Sequence, residues 1–252
     1  MASRDEIVHH CDELLEIGSF DDYGPNGLQV PGAAEVSKVA SAVSANLATL
    51  RGAVASGAQL VLAHHGLFWE FHPRALTPQM TERLRTLLDA DVSLAAYHLP
   101  LDAHPQIGNN ALLCERLGFE RSEPFGEARG ARIGCVGRTG EAVPAPELIN
   151  RVTELLDREP LIQGDGPDRV GSIGIVSGAG ADSVHEAAAL GLDALLTGEP
   201  AEHAMADAAE AGLHLIAAGH YATETLGIRR LGELLAERFG IDHEFIDVPN
   251  PV

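Results

Sequence analysis

Lysine is nearly missing from this chain: Lys38 is the only one, and every other basic residue is arginine. Basic charge as a whole is scarce, with 17 Lys and Arg against 37 Asp and Glu, a formal net charge of −20. No basic stripe of the kind that tracks a phosphate backbone is present, which disfavours nucleic acid as a main partner. An acidic surface with so little lysine suits a halophilic, salt-rich setting, because at about 1 M salt the Debye length shrinks to about 3 Å and self-repulsion becomes tolerable. Cysteine is also sparse. Cys11, Cys114 and Cys135 are odd in number, far apart and in no C-x-x-C spacing, which excludes a disulfide framework and reads as reduced thiols of a cytoplasmic protein. No apolar run approaches the roughly 18 to 20 residues of a membrane span. The first residues, Met1-Ala2-Ser3-Arg4-Asp5-Glu6, lack the apolar core of a signal peptide.

What is present is a 252-residue chain, 45% hydrophobic, long enough for one large domain or two of roughly 125 residues. Ile7, Val8, Cys11, Leu14 and Leu15 fall at helical spacing behind a capping Ser3, so a helix is expected over 5–17. Short apolar runs alternate with helical patterns: a strand over 36–43, a helix through Leu47, Leu50 and Val54, and a strand over 59–63, which is a βαβ unit with parallel strands. The second half repeats the order, with a strand over 172–176, a Gly-rich turn at 177–182, a helix over 183–190 and a strand over 193–196. The turn is neither a G-x-G-x-x-G fingerprint nor a Walker loop, so it reads as tight strand-to-helix packing. Gly57 to Gly66 falls over Gly191 to Pro200, and Ala95 to Asp102 over Ala217 to Glu224. Two matches in one order predict an internal duplication, giving two related α/β domains over 1–125 and 126–252 with a metal site in the cleft between them. The Gly- and Pro-containing stretches 121–131 and 138–146 are the expected boundary region.

Chemistry collects at the strand ends, where open α/β sheets bind their ligands. His64-His65-Gly66 ends one apolar run. His98 follows another, with Asp102 four residues later, and His220 follows a third, with Glu224 four residues later. Imidazole and carboxylate together suit a divalent metal, and Glu224 in a first helical turn suits the helix dipole. His9, His10, His72, His104, His185, His203, His214 and His243 read as ordinary hydrogen-bonded histidines, with His203, after the Thr-Gly-Glu strand end, and His104, just after Asp102, the two placed to reach the site. The aromatics Phe68, Trp69 and Phe71 read as core or subunit contacts.

These motifs, together with Gly108-Asn109-Asn110, Thr197-Gly198-Glu199 and Asp22-x-x-Gly-Pro-Asn-Gly-Leu-Gln-Val30, resemble the Nif-three-like dinuclear-metal family, whose members are also known as GTP cyclohydrolase I type 2 homologues. The resemblance runs from about residue 20 to 246. It implies metal ligands His64, His65, Asp102, His220 and Glu224, with Glu224 shared between two divalent ions (Zn, Fe, Mn or Co), and His98 as an acid/base candidate. It further implies a homo-hexameric ring and metal-dependent hydrolysis of a nucleotide or other phosphate-containing small molecule. The alternative it leaves open is a non-catalytic metal-binding or adaptor ring. Pro100 and Leu101 replace the more polar residues usual in that family between His98 and Asp102.

Overall fold

A computed structural model describes all residues, 1–252. The elements run β1 (Ala2–Ser3), α1 (Arg4–Leu14), β2 (Gly27–Val30), β3 (Glu35–Val36), β4 (Lys38–Ser44), α2 (Leu47–Ala55), β5 (Leu60–His65), α3 (Pro78–Asp89) and β6 (Ser93–Ala96). Next come α4 (Leu99–Ala103), α5 (Asn109–Arg116), β7 (Glu120–Ala128), β8 (Ala131–Pro144), α6 (Ala145–Leu156), β9 (Leu161–Gln163) and β10 (Arg169–Val176). The remainder is α7 (Val184–Ala189), β11 (Ala194–Thr197), α8 (Glu202–Ala211), β12 (His214–Ala217), α9 (His220–Thr223), α10 (Thr225–Phe239) and β13 (Asp242–Phe245). The chain forms two compact units: Met1–Leu101 with Gly227–Val248, and Asp102–Leu226 with Pro249–Val252.

The first unit holds a five-stranded sheet in the order β13-β4-β5-β6-β2. Its first four strands are parallel, and β2 runs antiparallel to β6. Strands flanked on both faces must be apolar on both faces, which is why 39–43 and 60–64 are buried without a break. Local signals set the helix starts: the side chains of Ser3, Asn46 and Thr77 each accept a hydrogen bond from the amide three residues on, and Pro78 occupies the first turn of α3. Helix α1 stops at Leu14, short of the expected 17, because the chain turns at Glu16 with φ +49°. The core here is built by residues such as Leu50, Val61, Leu67, Leu87 and Leu94.

The second unit holds a six-stranded sheet in the order β7-β8-β10-β11-β12-β9. Strands β10, β11 and β12 are parallel, while β9 is antiparallel to β12 and β8 to β10. Each unit therefore contains three consecutive parallel strands joined by helices, with an antiparallel strand from earlier in the chain beside the third. Leu148, Val152, Ile173, Ile175 and Leu196 are among its core residues.

Two expectations about organisation are corrected. Residues 121–131 and 138–146 are not a linker; most of them form the long β7–β8 hairpin inside the second unit. Its turn is Arg129-Gly130, both at positive φ (+52° and +77°), the backbone that matches the twist of a tight hairpin. Nor are the units consecutive halves, because β13 returns to pair in parallel with β4. A parallel partner cannot be reached by a hairpin, and α10 is the helix that brings the chain back.

His243 on β13 accounts for an acid-sensitive feature of this return. Its Nε2 lies 2.7 Å from Ser41 Oγ, and Gly232 packs against it so closely that a Cβ there would overlap the ring. Burial, aided by Arg229 and opposed by Glu233 and Glu244, lowers its pKa. A histidine held neutral in the fold costs stability once the unfolded chain takes up the proton more readily, so stability falls as pH drops below about 6.5. Replacing it (His243→Gln) is expected to flatten that limb. The measurement is Tm at pH 7.5 and 5.5, where the wild type should lose more than the variant.

Candidate metal-binding groups

In the first unit the parallel register does the positioning. Ala63 on β5 pairs with Ala96 on β6, so His64-His65, the last two residues of β5, and Tyr97-His98, just past β6, reach one level. The rings of His64 and His65 lie 4.7 Å apart between centroids, those of His64 and His98 5.1 Å, and those of His65 and His98 5.5 Å. One ligand nitrogen from each lies within 4.8 Å of the other two. His98, expected beside the ligands rather than among them, is thus one of three imidazoles able to take a metal.

The other ring nitrogen of each histidine is tethered. His64 Nδ1 donates to Tyr97 O (2.9 Å), which fixes the tautomer and makes Nε2 the coordinating atom. His65 Nδ1 meets Ser44 Oγ at 3.1 Å. His98 Nδ1 lies 2.7 Å from Asp22 Oδ1, and Asp22 Oδ2 accepts from Asn26 Nδ2 and the Leu99 amide. Burial opposes ionisation of Asp22, but the hydrogen bonds from His98, Asn26 and Leu99 outweigh it and hold the carboxyl below its ordinary range. Asn26 Oδ1 also accepts from the His98 amide at 2.8 Å. The Asp22-to-Gln29 segment, visible in the sequence only as a turn-rich motif, is therefore the mount for His98.

In the second unit the hub is Ser177-Gly178, just past β10. Val176 pairs with Thr197 on β11, and Thr197 with Ala217 on β12, so Ser177, Glu199 and His220 leave their strands at neighbouring ends. Buried Asp102 accepts from Asn109 Nδ2 (2.8 Å) and Ser177 Oγ (3.1 Å) on the same carboxylate oxygen. Asn110 accepts from the Ser177 amide at 2.7 Å and donates to Ile133 O at 2.8 Å. His220 Nδ1 lies 2.6 Å from Glu199 Oε1, and its Nε2 is 3.2 Å from Glu224 Oε1. Burial disfavours the His220 cation, yet Glu224 and Glu199 more than offset this and raise its pKa to about 9.

The Gly-rich turn carries more than tight packing. Gly178 has φ +64°, and a Cβ there would overlap Glu224 Oε1 and stand 3.2 Å from His220 Nε2. The glycine is thus the space into which these two donors project. Imidazole nitrogens and carboxylate oxygens suit Zn, Fe, Mn or Co, and a cradle that a side chain would fill fits an ion. The partners missed from sequence were Asp22, Asn26, Ser44, Asn109, Asn110, Ser177 and Glu199. Five of them stand inside the quoted motifs, but nothing in a linear pattern assigns them an orienting role. His203 instead pairs with Asp182 on the surface (2.7 Å), and His104 Nδ1 accepts from the amides of Gln106 and Ile107.

Parallel strand ends that gather imidazoles and carboxylates define the class: an α/β protein with groups able to take a divalent metal. The chain belongs to the Duf34/NIF3 (NGG1p interacting factor 3) family, whose model matches residues 2–251. A GTP cyclohydrolase 1 type 2 homolog of Deinococcus radiodurans is 42% identical over 246 residues, spanning 98% of this chain and 93% of that protein. The homolog of that name from Escherichia coli is 41% identical over 253 residues, with 98% of each covered. Among solved structures, protein ybgI, described as of unknown function, superposes with a TM-score of 0.94 at 40% identity over 100% of both chains. The family resemblance and the α/β fold are borne out.

Gly178 offers a direct test. In Gly178→Ala the new methyl must displace Glu224 and also carries about 1–2 kcal/mol of left-handed backbone strain. Metal affinity measured by titration calorimetry is expected to fall about 10- to 100-fold, with circular dichroism unchanged.

Proposed function

We propose that this protein is a dinuclear-metal hydrolase acting on a nucleotide or related phosphate-containing small molecule. In this reading His64, His65, Asp102, His220 and Glu224 together hold two divalent ions, with Glu224 shared. The observation that carries it is the tethering of the ligand histidines: Nδ1 of His64 and His220 is committed to a carbonyl and a carboxylate, and Nδ1 of His65 to the Ser44 hydroxyl, which orients Nε2 as metal-binding histidines require. Held by these residues, divalent ions would supply Lewis acidity and a water whose pKa is lowered towards about 7.

The chain's own residues supply the rest. Asp22 holds His98 in one tautomer, so His98 Nε2 can accept a proton and return it. Glu199 does the same for the orientation of His220. Asn109 and Ser177 fix the Asp102 carboxylate, so its position does not depend on the ligand. Positive ions also explain how an anionic substrate could approach a chain of net charge −20. The names of the relatives support a nucleotide as substrate. A cytoplasmic location is consistent with three buried, unlinked cysteines, and no helix is long and apolar enough to cross a membrane. The shared strand order of the two units supports an internal duplication, and a hexameric ring completes the reading.

Native mass spectrometry with elemental analysis should find two metals per chain and a mass of six chains. Loaded with Mn, Fe or Zn, the protein should turn over GTP or a member of a phosphodiester panel. Glu224→Gln is expected to lower that turnover by at least about a hundredfold while the assembly stays intact. Full metal loading with no turnover on any of these would leave a metal-binding protein without hydrolase activity.

A further inference from the structure

One cavity lies within the first unit, and the metal-binding reading does not use it. It measures about 580 Å³ and is formed by the 67–77 segment and the first turns of α3, a size typical of small-molecule sites. Leu67, Phe68, Trp69 and Met80 line it with apolar and aromatic surface, Arg74 and Arg83 bring cationic groups, and Glu70 and His72 also border it. Trp69 belongs to both the cavity and the histidine group. Its ring centroid is 5.1 Å from that of His98, edge-on at 87°, and 5.8 Å from that of His65. The indole is fixed, with Nε1 donating to Gly66 O at 3.1 Å and Phe71 stacked at 17° and 5.7 Å.

The arginines are the informative part. In a chain with more than twice as many acids as bases, no carboxylate is within ion-pair distance of Arg74 or Arg83. Even Glu82, adjacent to Arg83 in sequence, pairs with Arg51 at 2.6 Å. Two guanidiniums bordering one cavity, neither paired with a carboxylate, suit a phosphate, which they can grip in bidentate fashion. The same charges would repel a metal ion, and of the lining residues Trp69 is the one in ring contact with His65 and His98.

We propose that this cavity is the recognition site for a phosphorylated heteroaromatic compound of the nucleoside monophosphate class. The ring lies against Trp69 and the phosphate rests on Arg74 and Arg83. Resting on the function proposed above, this names its substrate class and presents the ring, rather than the phosphate, to His98. Phe68 and Trp69, read from sequence as core or subunit contacts, become a stacking surface.

Trp69 is the only tryptophan, so its fluorescence, compared at fixed metal content, reports on what enters this cavity. Titrating the intact protein, metal-loaded and chelator-treated, with GMP, guanosine and ribose 5-phosphate separates ring from phosphate. Quenching by GMP, at least about tenfold weaker binding of guanosine, and no quenching by ribose 5-phosphate are expected. The double variant Arg74→Gln/Arg83→Gln should bring GMP to the guanosine level with unchanged metal content and Tm. Equal binding of GMP and guanosine, no quenching by any of the three, or an unaltered double variant would overturn the proposal. So would an emission change on simple dilution, which would give the cavity to a second copy of the chain. Metal content from the same samples separates the two readings. Normal loading without quenching sinks only the cavity assignment, and quenching in protein that never takes up metal sinks only the dinuclear centre.

Discussion

Strand register is the constraint from which the rest follows. In a parallel sheet a hydrogen-bonded pair fixes the level at which both strands end. Ala63 opposite Ala96 sets one such level, and Val176, Thr197 and Ala217 set the other. Every candidate ligand lies within a few residues of these pairs, except Asp102 and Glu224, which sit one helical turn beyond His98 and His220. A slip of one residue would turn each side chain to the opposite face and separate the donors.

Register brings the groups near, and hydrogen bonds aim them. The tethers come from the main chain (Tyr97 O), a hydroxyl (Ser44) and carboxylates (Asp22, Glu199), so no single element controls the whole donor set. Buried ionised groups are tolerated only where polar partners are supplied. Asp22 shows how: three donors outweigh its burial. The rise of His220 to about 9 has the same origin with the opposite charge, two acids gathered on one ring. An arrangement that concentrates negative charge on an imidazole is also one that welcomes a cation.

Glycine supplies the room. At Gly178 a donor carboxylate occupies the place of a side chain, and at Gly66 a Cβ would overlap the Gln29 amide, which in turn accepts from the Leu67 amide at 2.8 Å. Gln29 thus anchors the start of the aromatic segment that carries Trp69. The sparse positive charge of the sequence gains meaning in the same region, because Arg74 and Arg83, neither paired with a carboxylate, border one cavity with Phe68 and Trp69.

The sequence alone carried the strand ends, the family and the candidate residues His64, His65, His98, Asp102, His220 and Glu224, because apolar periodicity and residue spacing are local quantities. The β7–β8 hairpin was misread as a boundary, since Gly and Pro mark a tight turn and a linker alike, and only pairing partners distinguish them. The return of β13 to β4 was likewise hidden, as were the tethers from Asp22, Ser44 and Glu199. These depend on contacts between residues from 21 to more than 200 positions apart, and such distances are closed only when the sheets form.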